Sequence, residues 1–346
     1  MRDGEVLILK GEEISFLLAD REKELIDLVR AAYEVHAGED CSLPHSNFLR
    51  FPDSERNRII ALPAYLGGAF KIAGIKWISS FPGNFELGLD RASAVVILNS
   101  ALTGRPEAIL EGSIISAKRT AASAALAAHC LTGGKTVGRV GVIGCGVINF
   151  ETVRMLLATI PELTRLLVFD LDPARAAQFG NKCAGVSKEI EVTVAQSVNE
   201  VLAGSSLISM ATTAVRPHIY DLTPCVPGAT ILHTSLRDLS PEVILSCDNV
   251  VDDAGHVCRA QTSVHLAEQI VGHRNFIRCC LADILSGAAP ARRDQNSVTI
   301  FSPFGLGVLD IALGKFTLDL AIKESKGLAV SSFLPDSWLQ ESKNGG

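Results

Sequence analysis

An alternation of short apolar runs with helical segments begins after the glycine pair at 133–134. Apolar runs of four or five residues are typical of buried strands, and helices between them predict a parallel, doubly wound sheet. Two helix starts are marked, one by Asp172 followed by Pro173 and one by the capping box from Ser197 to Glu200. The predicted strands are 140–143, 166–169, 191–195, 207–211, 230–233, 249–251 and 298–301.

The chain before residue 133 has a different pattern. Leu25, Val29 and Tyr33 stand at helical spacing and predict a helix over 21–38. β-like runs then follow with no helix between them, and the segment 99–106 (NSALTGRP) has the residues of a hairpin turn. Neighbouring strands are therefore expected to be antiparallel. The predicted strands are 58–62, 72–78, 93–98 and 108–111.

A last helix is predicted over 306–324, after the parallel sheet. It would carry the chain back from the second domain to the first, so we expect the first domain to be discontinuous. The sequence thus predicts an α/β fold in which an α+β domain of 1–132 and 306–346 accompanies a doubly wound domain of 133–305.

Composition and charge narrow the class of protein. The 346 residues carry 32 basic and 38 acidic side chains, and no cluster of Lys or Arg of the kind that nucleic acid or an anionic membrane requires. The nine cysteines form no C-x-x-C pair and the eight histidines no H-E-x-x-H, so we expect reduced thiols and no metal. The N-terminal residues do not resemble a signal peptide, which predicts a cytoplasmic protein. Small molecules and further copies of the chain are the expected partners.

The strongest local motif is a strand that ends in Gly144-Cys-Gly146 and leads into a predicted helix over 147–160. Two glycines permit a tight turn whose N–H groups can approach a pyrophosphate, as in Rossmann-type folds. Asp170 ends the next strand, where a carboxylate would bind the adenosine ribose and repel a 2′-phosphate, so the motif predicts NAD rather than NADP. The alternative is a turn without a ligand, with Asp170 as a surface cap. Asn149 replaces the third glycine of the motif.

Three basic residues occupy positions next to apolar segments, where the presence of a cation requires an explanation. Lys76 lies inside an apolar strand, Arg119 begins a helix of small residues, and Arg50 ends a short apolar run. Arginine pairs bidentately with carboxylates and lysine supplies a point charge, so the three could bind an acidic substrate. Taken singly, each is better explained as a solvated surface charge. Lys118 and Arg58 are expected to be of that solvated kind.

Longer stretches resemble the ornithine cyclodeaminase/μ-crystallin family. The likeness extends over about 14–334 and rests on RIIALPAYLGG, AGIKWIS, the loop at Asn84, the segment Asp90-Arg-Ala-Ser93, VVILNSALTGRPEAILEGSIISAKRTAASAALAA and VGVIGCG. It implies a Rossmann-type NAD-binding domain, together with a domain that binds substrate and forms a homodimer.

The resemblance also implies roles for single residues. The family's substrate-carboxylate cations fall on Arg50, Lys76 and Arg119, and its catalytic aspartate falls on Asp238 in HTSLRDLSPEV, with Lys76 also expected to act in catalysis. A structural alternative makes Asp238 the N-cap of the helix that starts at Ser240-Pro241. The implied NAD contacts are Gly144, Cys145, Gly146, Val147, Ile148, Asp170, Thr212, Thr213, Ser235, Ser302, Phe304 and Gly305.

The motifs are nearest to those family members that oxidise a C–N bond in an amino-acid conjugate. They imply NAD-dependent oxidative cleavage of N-(2-amino-2-carboxyethyl)-L-glutamate to 2-oxoglutarate and L-2,3-diaminopropionate, a building block of siderophores and other natural products. Ile60 stands where ornithine cyclodeaminases carry a glutamate beside the substrate's amine, which weakens the case for a diamino acid. The open alternatives are a cyclodeaminase-type ammonia-lyase, a ketimine reductase or amino-acid dehydrogenase, and a μ-crystallin-like protein that binds a nucleotide without turnover.

Overall fold

A computed structural model describes residues 4–335 of the chain. The strands are β1 (Val6–Leu9), β2 (Cys41–Ser42), β3 (Asn47–Phe51), β4 (Ser54–Leu66), β5 (Ile72–Ser80), β6 (Ala94–Ser100), β7 (Pro106–Glu111), β8 (Arg139–Ile143), β9 (Arg165–Phe169), β10 (Glu191–Val194), β11 (Leu207–Met210), β12 (Thr230–His233), β13 (Asp248–Val251), β14 (Ile277–Cys280), β15 (Thr299–Ser302) and β16 (Leu328–Val330). The α-helices are α1 (Gly11–Leu17), α2 (Glu22–Ala37), α3 (Ser113–Leu131), α4 (Val147–Thr159), α5 (Pro173–Val186), α6 (Val198–Gly204), α7 (Pro241–Ser246), α8 (Ala254–Val257), α9 (Ser263–Val271), α10 (Leu281–Leu285) and α11 (Gly307–Lys323). Within 4–335, no helix combines the length and the apolarity needed to cross a bilayer.

Contacts divide the chain into two compact units. The first is formed by the residues up to Ala19, by Cys41–Ile115 and by the residues from Asp310 onward, and the second by Asp20–Asp40 and Ser116–Leu309. This division differs from the predicted boundaries, because 20–40 and 116–132 group with the second unit. The reason for the first of these differences is that α2 packs against α4 and α10. The predicted end of the first domain, 336–346, lies outside the described residues.

The second unit contains a parallel sheet with the strand order β10-β9-β8-β11-β12-β15-β13-β14. All seven strands predicted between 140 and 301 are present, each within a residue or two of its expected bounds, and the Rossmann-type α/β fold class is confirmed. The order turns from one direction to the other between β8 and β11, so the loops after these two strands lie side by side. The strand β14 was not predicted.

The predicted caps define where two helices of this unit begin. The carboxylate of Asp172 accepts hydrogen bonds from the N–H groups of Ala174 and Arg175, and Pro173 occupies the first helical position of α5. The hydroxyl of Ser197 accepts from the N–H of Glu200 at the start of α6. These side chains satisfy N–H groups that have no partner inside the helix.

The first unit contains a sheet in the order β16-β1-β7-β6-β5-β4-β2, with β3 paired to β4. The predicted hairpin is confirmed, because β6 and β7 pair antiparallel. One face of the sheet is buried, since Ile72, Val96, Leu98 and Leu110 on it are 0–1% exposed. The pairing of β1 with β7 is parallel and was not predicted, because it joins segments about a hundred residues apart.

Candidate functional site

The glycine turn follows β8 at the point where the order of the parallel sheet changes direction. Gly144 has a φ of +89°, and a Cβ built on it would lie 2.4 Å from the carbonyl oxygen of Ala211, so only glycine fits beside the end of β11. Gly146 precedes α4, and a Cβ there would meet no atom within 4 Å. The turn is therefore open on this side, and N–H groups at the start of a helix attract anions. A pyrophosphate fits this position.

Asn149, the residue in the third position of the motif, holds the turn in place. Its amide nitrogen donates to the carbonyl oxygens of Ile143 (3.0 Å) and Gly144 (2.6 Å), and its oxygen accepts from the hydroxyl of Ser209 (2.6 Å). The side chain is fully buried. These bonds tie the end of β8 to β11, so the departure from glycine fixes the geometry of the turn.

Asp170 follows β9 and contacts the glycine turn. The N–H of Cys145 donates to Oδ2 of Asp170 (2.8 Å), and the N–H of Asp172 donates to Oδ1 (3.0 Å). Asp172, and not Asp170, is the N-cap of α5. Each carboxylate oxygen of Asp170 has acceptor capacity beyond one hydrogen bond, so this half-buried group can also accept from a ribose hydroxyl.

The other residues predicted to contact a nucleotide differ in accessibility. Val147 is 63% exposed and Thr213 is exposed, whereas Ile148 is half-buried. Cys145 is buried, and burial raises the pKa of its thiol to about 12, so this residue can offer a ligand its backbone. The side chain of Ser302 is fully buried with its hydroxyl 3.2 Å from Nδ1 of His233, so it faces the protein.

Asp238 is fully buried in the loop after β12 and is surrounded by polar groups. The hydroxyl of Thr212 donates to Oδ1, the hydroxyl of Ser235 donates to Oδ2, and Nε2 of His233 lies 3.3 Å from Oδ2. These groups come from the ends of two neighbouring strands, β11 and β12. The N-cap of α7 is Ser240, so the alternative role of Asp238 as that cap is wrong.

The environment of Asp238 holds the carboxyl in its ionised form. Burial raises the pKa, but the hydrogen bond and charge of His233 and the hydroxyls of Ser235 and Thr212 outweigh burial and lower the pKa to about 2. Leu236 has a φ of +67°, a left-handed conformation that branched residues rarely adopt. Such strain is typical of functional loops, because surrounding contacts must maintain it.

The loop after β15 is fixed by a second buried carboxylate, that of Asp252. Its two oxygens accept hydrogen bonds from the N–H groups of Phe304 and Gly305, both at 2.8 Å. Burial raises the pKa of Asp252 to about 6, in opposition to these hydrogen bonds. Gly305 has a φ of +90°, and a Cβ there would lie 2.7 Å from Nη1 of Arg119. Arg119 is 7% exposed and packs against this glycine, so it is not a solvated surface charge.

Lys76 lies in β5 and is 2% exposed. Its ammonium group is 2.8 Å from Oδ2 of Asp310 in α11. Leu62 and Val96 are its cross-strand partners, so Lys76 points to the buried face of the first unit's sheet. Ile60 is on the same face of the neighbouring strand, because it lies two residues from Leu62.

Arg50, the third predicted cation, is exposed in β3, with its guanidinium carbon 5.7 Å from the centre of the Phe48 ring. Its cross-strand partner is Arg58, and the partner of Arg58 on the next strand is Ser80. Arg50 and Lys76 are therefore on one sheet face, but β4 lies between their strands and they are offset by four residues along the strand. The structure does not bring them into contact.

Lys118 corrects the expectation of a solvated charge. It is 4% exposed, and its ammonium group lies 3.0 Å from Oε2 of Glu151. Glu151 also lies 3.8 Å from Arg154, which in turn pairs with Glu22 at 2.6 Å. The network joins α3, α4 and α2, and it supports the second unit from within.

Three residues with a part in these contacts were not predicted: His233 and Asp252 in the second unit and Asp310 in the first. Each of the three follows or interrupts an apolar run. This is the signal in the sequence that could have revealed them, because a polar residue next to a buried strand needs a partner. The identity of each partner depends on contacts between distant segments. Spacing along the chain does not reveal them.

The sequence and the fold of this chain are similar to those of known proteins. A model of the ornithine cyclodeaminase/mu-crystallin family matches residues 19–325. The N-((2S)-2-amino-2-carboxyethyl)-L-glutamate dehydrogenase of Staphylococcus aureus (strain NCTC 8325 / PS 47) is 29% identical, over 95% of this chain and 99% of its own. The Δ(1)-pyrroline-2-carboxylate reductase of Thermococcus litoralis, solved with NADH and L-proline, superposes with a TM-score of 0.86 at 24% identity, over 94% of this chain and 100% of its own. An archaeal alanine dehydrogenase dimer with bound NAD gives a TM-score of 0.83 at 24% identity, over 94% of this chain and 99% of its own.

The parallel sheet, its glycine turn and the two buried carboxylates define a protein with a Rossmann-type domain. The chain belongs to the ornithine cyclodeaminase/mu-crystallin family, and the resemblance seen in its motifs is confirmed.

Proposed function

We propose that the protein is an NAD-dependent dehydrogenase that cleaves N-(2-amino-2-carboxyethyl)-L-glutamate to 2-oxoglutarate and L-2,3-diaminopropionate. The observation that carries the proposal is the buried, ionised carboxylate of Asp238 at the carboxyl edge of a dinucleotide-type sheet. The choice of substrate is supported by the similarity over 95% of the chain to a dehydrogenase of that conjugate.

The donors and acceptors at the glycine turn fit NAD. The open side of Gly146 and the N-terminus of α4 suit a pyrophosphate, and Asp170 suits an unphosphorylated ribose. The loop held by Asp252, with Phe304 and Gly305, suits the nicotinamide end. When bound, oxidised NAD supplies a two-electron acceptor for the C–H bond of the glutamate α-carbon.

Asp238 acts on the substrate's nitrogen in this proposal. Loss of the C–H electrons makes the nitrogen an iminium, and a fixed carboxylate stabilises that positive charge as it develops. Water then adds to the carbon and gives up one proton to the nitrogen. The C–N bond breaks to give the free amine and the keto acid, and the remaining hydroxyl proton is released to solvent. A carboxyl with a pKa of about 2 is a weak base, so Asp238 contributes mainly as an anion, with Thr212, Ser235 and His233 holding its orientation.

The substrate's three carboxylates need cations to bind them, and we assign this role to Arg50, Lys76 and Arg119. Arginine forms paired hydrogen bonds with a carboxylate, and a buried lysine gives a strong point charge. The ammonium group of Lys76 lies 2.8 Å from Oδ2 of Asp310, and this pair fixes its position.

We also propose that the enzyme is a cytoplasmic homodimer that supplies L-2,3-diaminopropionate for a siderophore or another natural product. The support for a dimer is the outer face of the first unit's sheet. Trp77 there is 39% exposed, and Ile75 and Ile97 are half-buried. Association of two copies would cover these apolar side chains.

The test of the proposed function is product analysis with NAD and the synthetic conjugate. We expect NADH, 2-oxoglutarate and L-2,3-diaminopropionate in equal amounts, followed by absorbance at 340 nm and mass spectrometry. The parallel reaction with ornithine distinguishes a cyclodeaminase, which would release proline and ammonia without lasting NADH. Proline from ornithine, with no reaction of the conjugate, would overturn the proposal.

A further inference from the structure

Three arginines are placed at one end of the sheet in the first unit. Arg50 and Arg58 are directly opposite each other on β3 and β4, and Arg58 is directly opposite Ser80 on β5. Nη1 of Arg91 donates to the hydroxyl of Ser80 at 2.8 Å. Arg50 and Arg58 are therefore in the row of residues that ends at Ser80, and Arg91 contacts that end.

The position of Arg91 is fixed by its backbone as well as by Ser80. The carbonyl oxygen of Arg91 accepts from the N–H of Phe81 at 2.8 Å, and Asn84 closes the preceding loop by donating to the carbonyl oxygen of Asp90 at 2.9 Å. Ser80 is 6% exposed and Arg91 is half-buried. Burial lowers the pKa of Arg91, as expected for a cation that has lost part of its water.

Arg50 and Arg91 add positive charge to this end of the sheet. Arginines directly opposite each other on neighbouring strands repel. Among the residues described, neither Arg50 nor Arg91 has a carboxylate within ion-pair distance. A bound carboxylate would offset the repulsion and take the hydrogen bonds that guanidinium groups offer.

We infer that Arg91, positioned by Ser80, forms with Arg58 and Arg50 a carboxylate-binding subsite, and that this subsite takes the side-chain carboxylate of the substrate's glutamate part. Ser80 and Lys76 lie on the same face of β5, four residues and so about 13 Å apart at the usual rise of a strand. Measured between Cα atoms, the row of arginines is thus displaced from Lys76 along the sheet. An elongated substrate with carboxylates at its two ends matches this separation.

The inference rests on the proposed function for the identity of the substrate, but its test does not. The protein with saturating NADH is titrated in a calorimeter with 2-oxoglutarate and with 2-oxopentanoate, which has the same chain length and a methyl group in place of the second carboxylate. We expect the unmodified protein to bind 2-oxoglutarate at least ten-fold more tightly. Arg91→Gln should abolish this preference and leave the affinity for 2-oxopentanoate within two-fold.

Two further variants separate recognition from loss of folding. Ser80→Ala keeps all three charges but frees Arg91, so we expect a partial loss of the preference, about three-fold. Arg105→Gln removes an exposed arginine from the β6–β7 turn and should change neither affinity. Thermal unfolding of each variant should match the unmodified protein within a few degrees.

The outcomes distinguish the inference from the proposed function. Equal or undetectable binding of the two ligands by the unmodified protein, or an unchanged preference in Arg91→Gln, overturns the subsite. A clear preference that Arg91→Gln removes supports the subsite, even if the conjugate yields no NADH. In that case the proposed reaction fails and the subsite belongs to another dicarboxylate substrate.

Discussion

Lys76 and Asp310 form an ion pair of 2.8 Å in which the two side chains are 2% and 0% exposed. Removing one partner of a buried ion pair typically costs about 3–5 kcal/mol. We expect Lys76→Met to lower the free energy of unfolding in urea by about this amount and to abolish turnover. The double variant Lys76→Met/Asp310→Leu should recover most of the stability but none of the activity. Recovered activity in the double variant would limit Lys76 to a structural role.

Asp238→Asn tests the role of the buried anion. The amide keeps the shape of the side chain but loses its charge, so kcat should fall by about 10²–10³. The dissociation constant of NAD, measured by the quenching of protein fluorescence, should stay within about three-fold because the glycine turn is untouched. A variant that retains kcat would remove Asp238 from the mechanism.

The preference for NAD over NADP should depend on Asp170. Its carboxylate would accept from the ribose and repel a 2′-phosphate, and a charge-assisted contact of about 1.5–3 kcal/mol predicts at least ten-fold tighter binding of NAD. Asp170→Asn keeps an acceptor for the N–H of Cys145 and removes the charge, so the preference should shrink several-fold. Calorimetric titration with both cofactors measures it, and equal affinities in the unmodified protein would refute this role for Asp170.

Asp252 predicts a pH dependence of stability between about pH 4 and 6. Its pKa is raised from 3.8 to about 6, so the folded protein retains a proton that the unfolded chain has already lost in this interval. Asp252 therefore contributes about 3 kcal/mol to the free energy of unfolding below pH 4, and this contribution is lost as the pH rises to 6. The pKa values of Asp238 and Asp253 are lowered to about 2, so these two groups change the stability only below this pH interval.

The comparison of Asp252→Asn with the unmodified protein isolates this effect. Urea unfolding at pH 4, 5, 6 and 7 should show a decline between pH 4 and 6 that is smaller in the variant. Parallel curves for the two proteins would mean that Asp252 has an ordinary pKa in the fold.

The homodimer should depend on the outer face of the first sheet. Light scattering at micromolar concentration should give the mass of two chains, and Trp77→Glu should shift it towards one chain because a charge cannot be buried unpaired in an apolar contact. Leu102→Glu is the control, since Leu102 is 93% exposed on the hairpin turn and should leave the mass unchanged. A monomeric unmodified protein contradicts the proposed assembly.

Much of the second unit could be predicted because its strands are local apolar runs separated by marked helix starts. The burial of Lys118 could not, since its partner Glu151 is 33 residues away on another helix. The grouping of α2 with the second unit has the same cause, because the pattern of Leu25, Val29 and Tyr33 predicts a buried face but not what covers it. The resemblance to the family implied a catalytic role for Asp238. The hydroxyls and imidazole that keep it ionised became visible only in the folded chain.

The first unit is completed by the last segments of the chain, and this has a consequence for synthesis. The ribosome releases β1 and β4–β7 long before α11 and β16, which belong to the same unit. Residues 116–309 can fold before α11 and β16 are synthesised, and during that time β1 and β4–β7 lack these two partners. A product that stops before Asp310 would lack the part of α11 that packs on Gly74, Val96 and Leu98, and it would leave an apolar sheet face exposed and an open strand edge at β1, a template for aggregation. Premature termination should therefore yield insoluble or rapidly degraded protein, even though the whole parallel sheet has been translated.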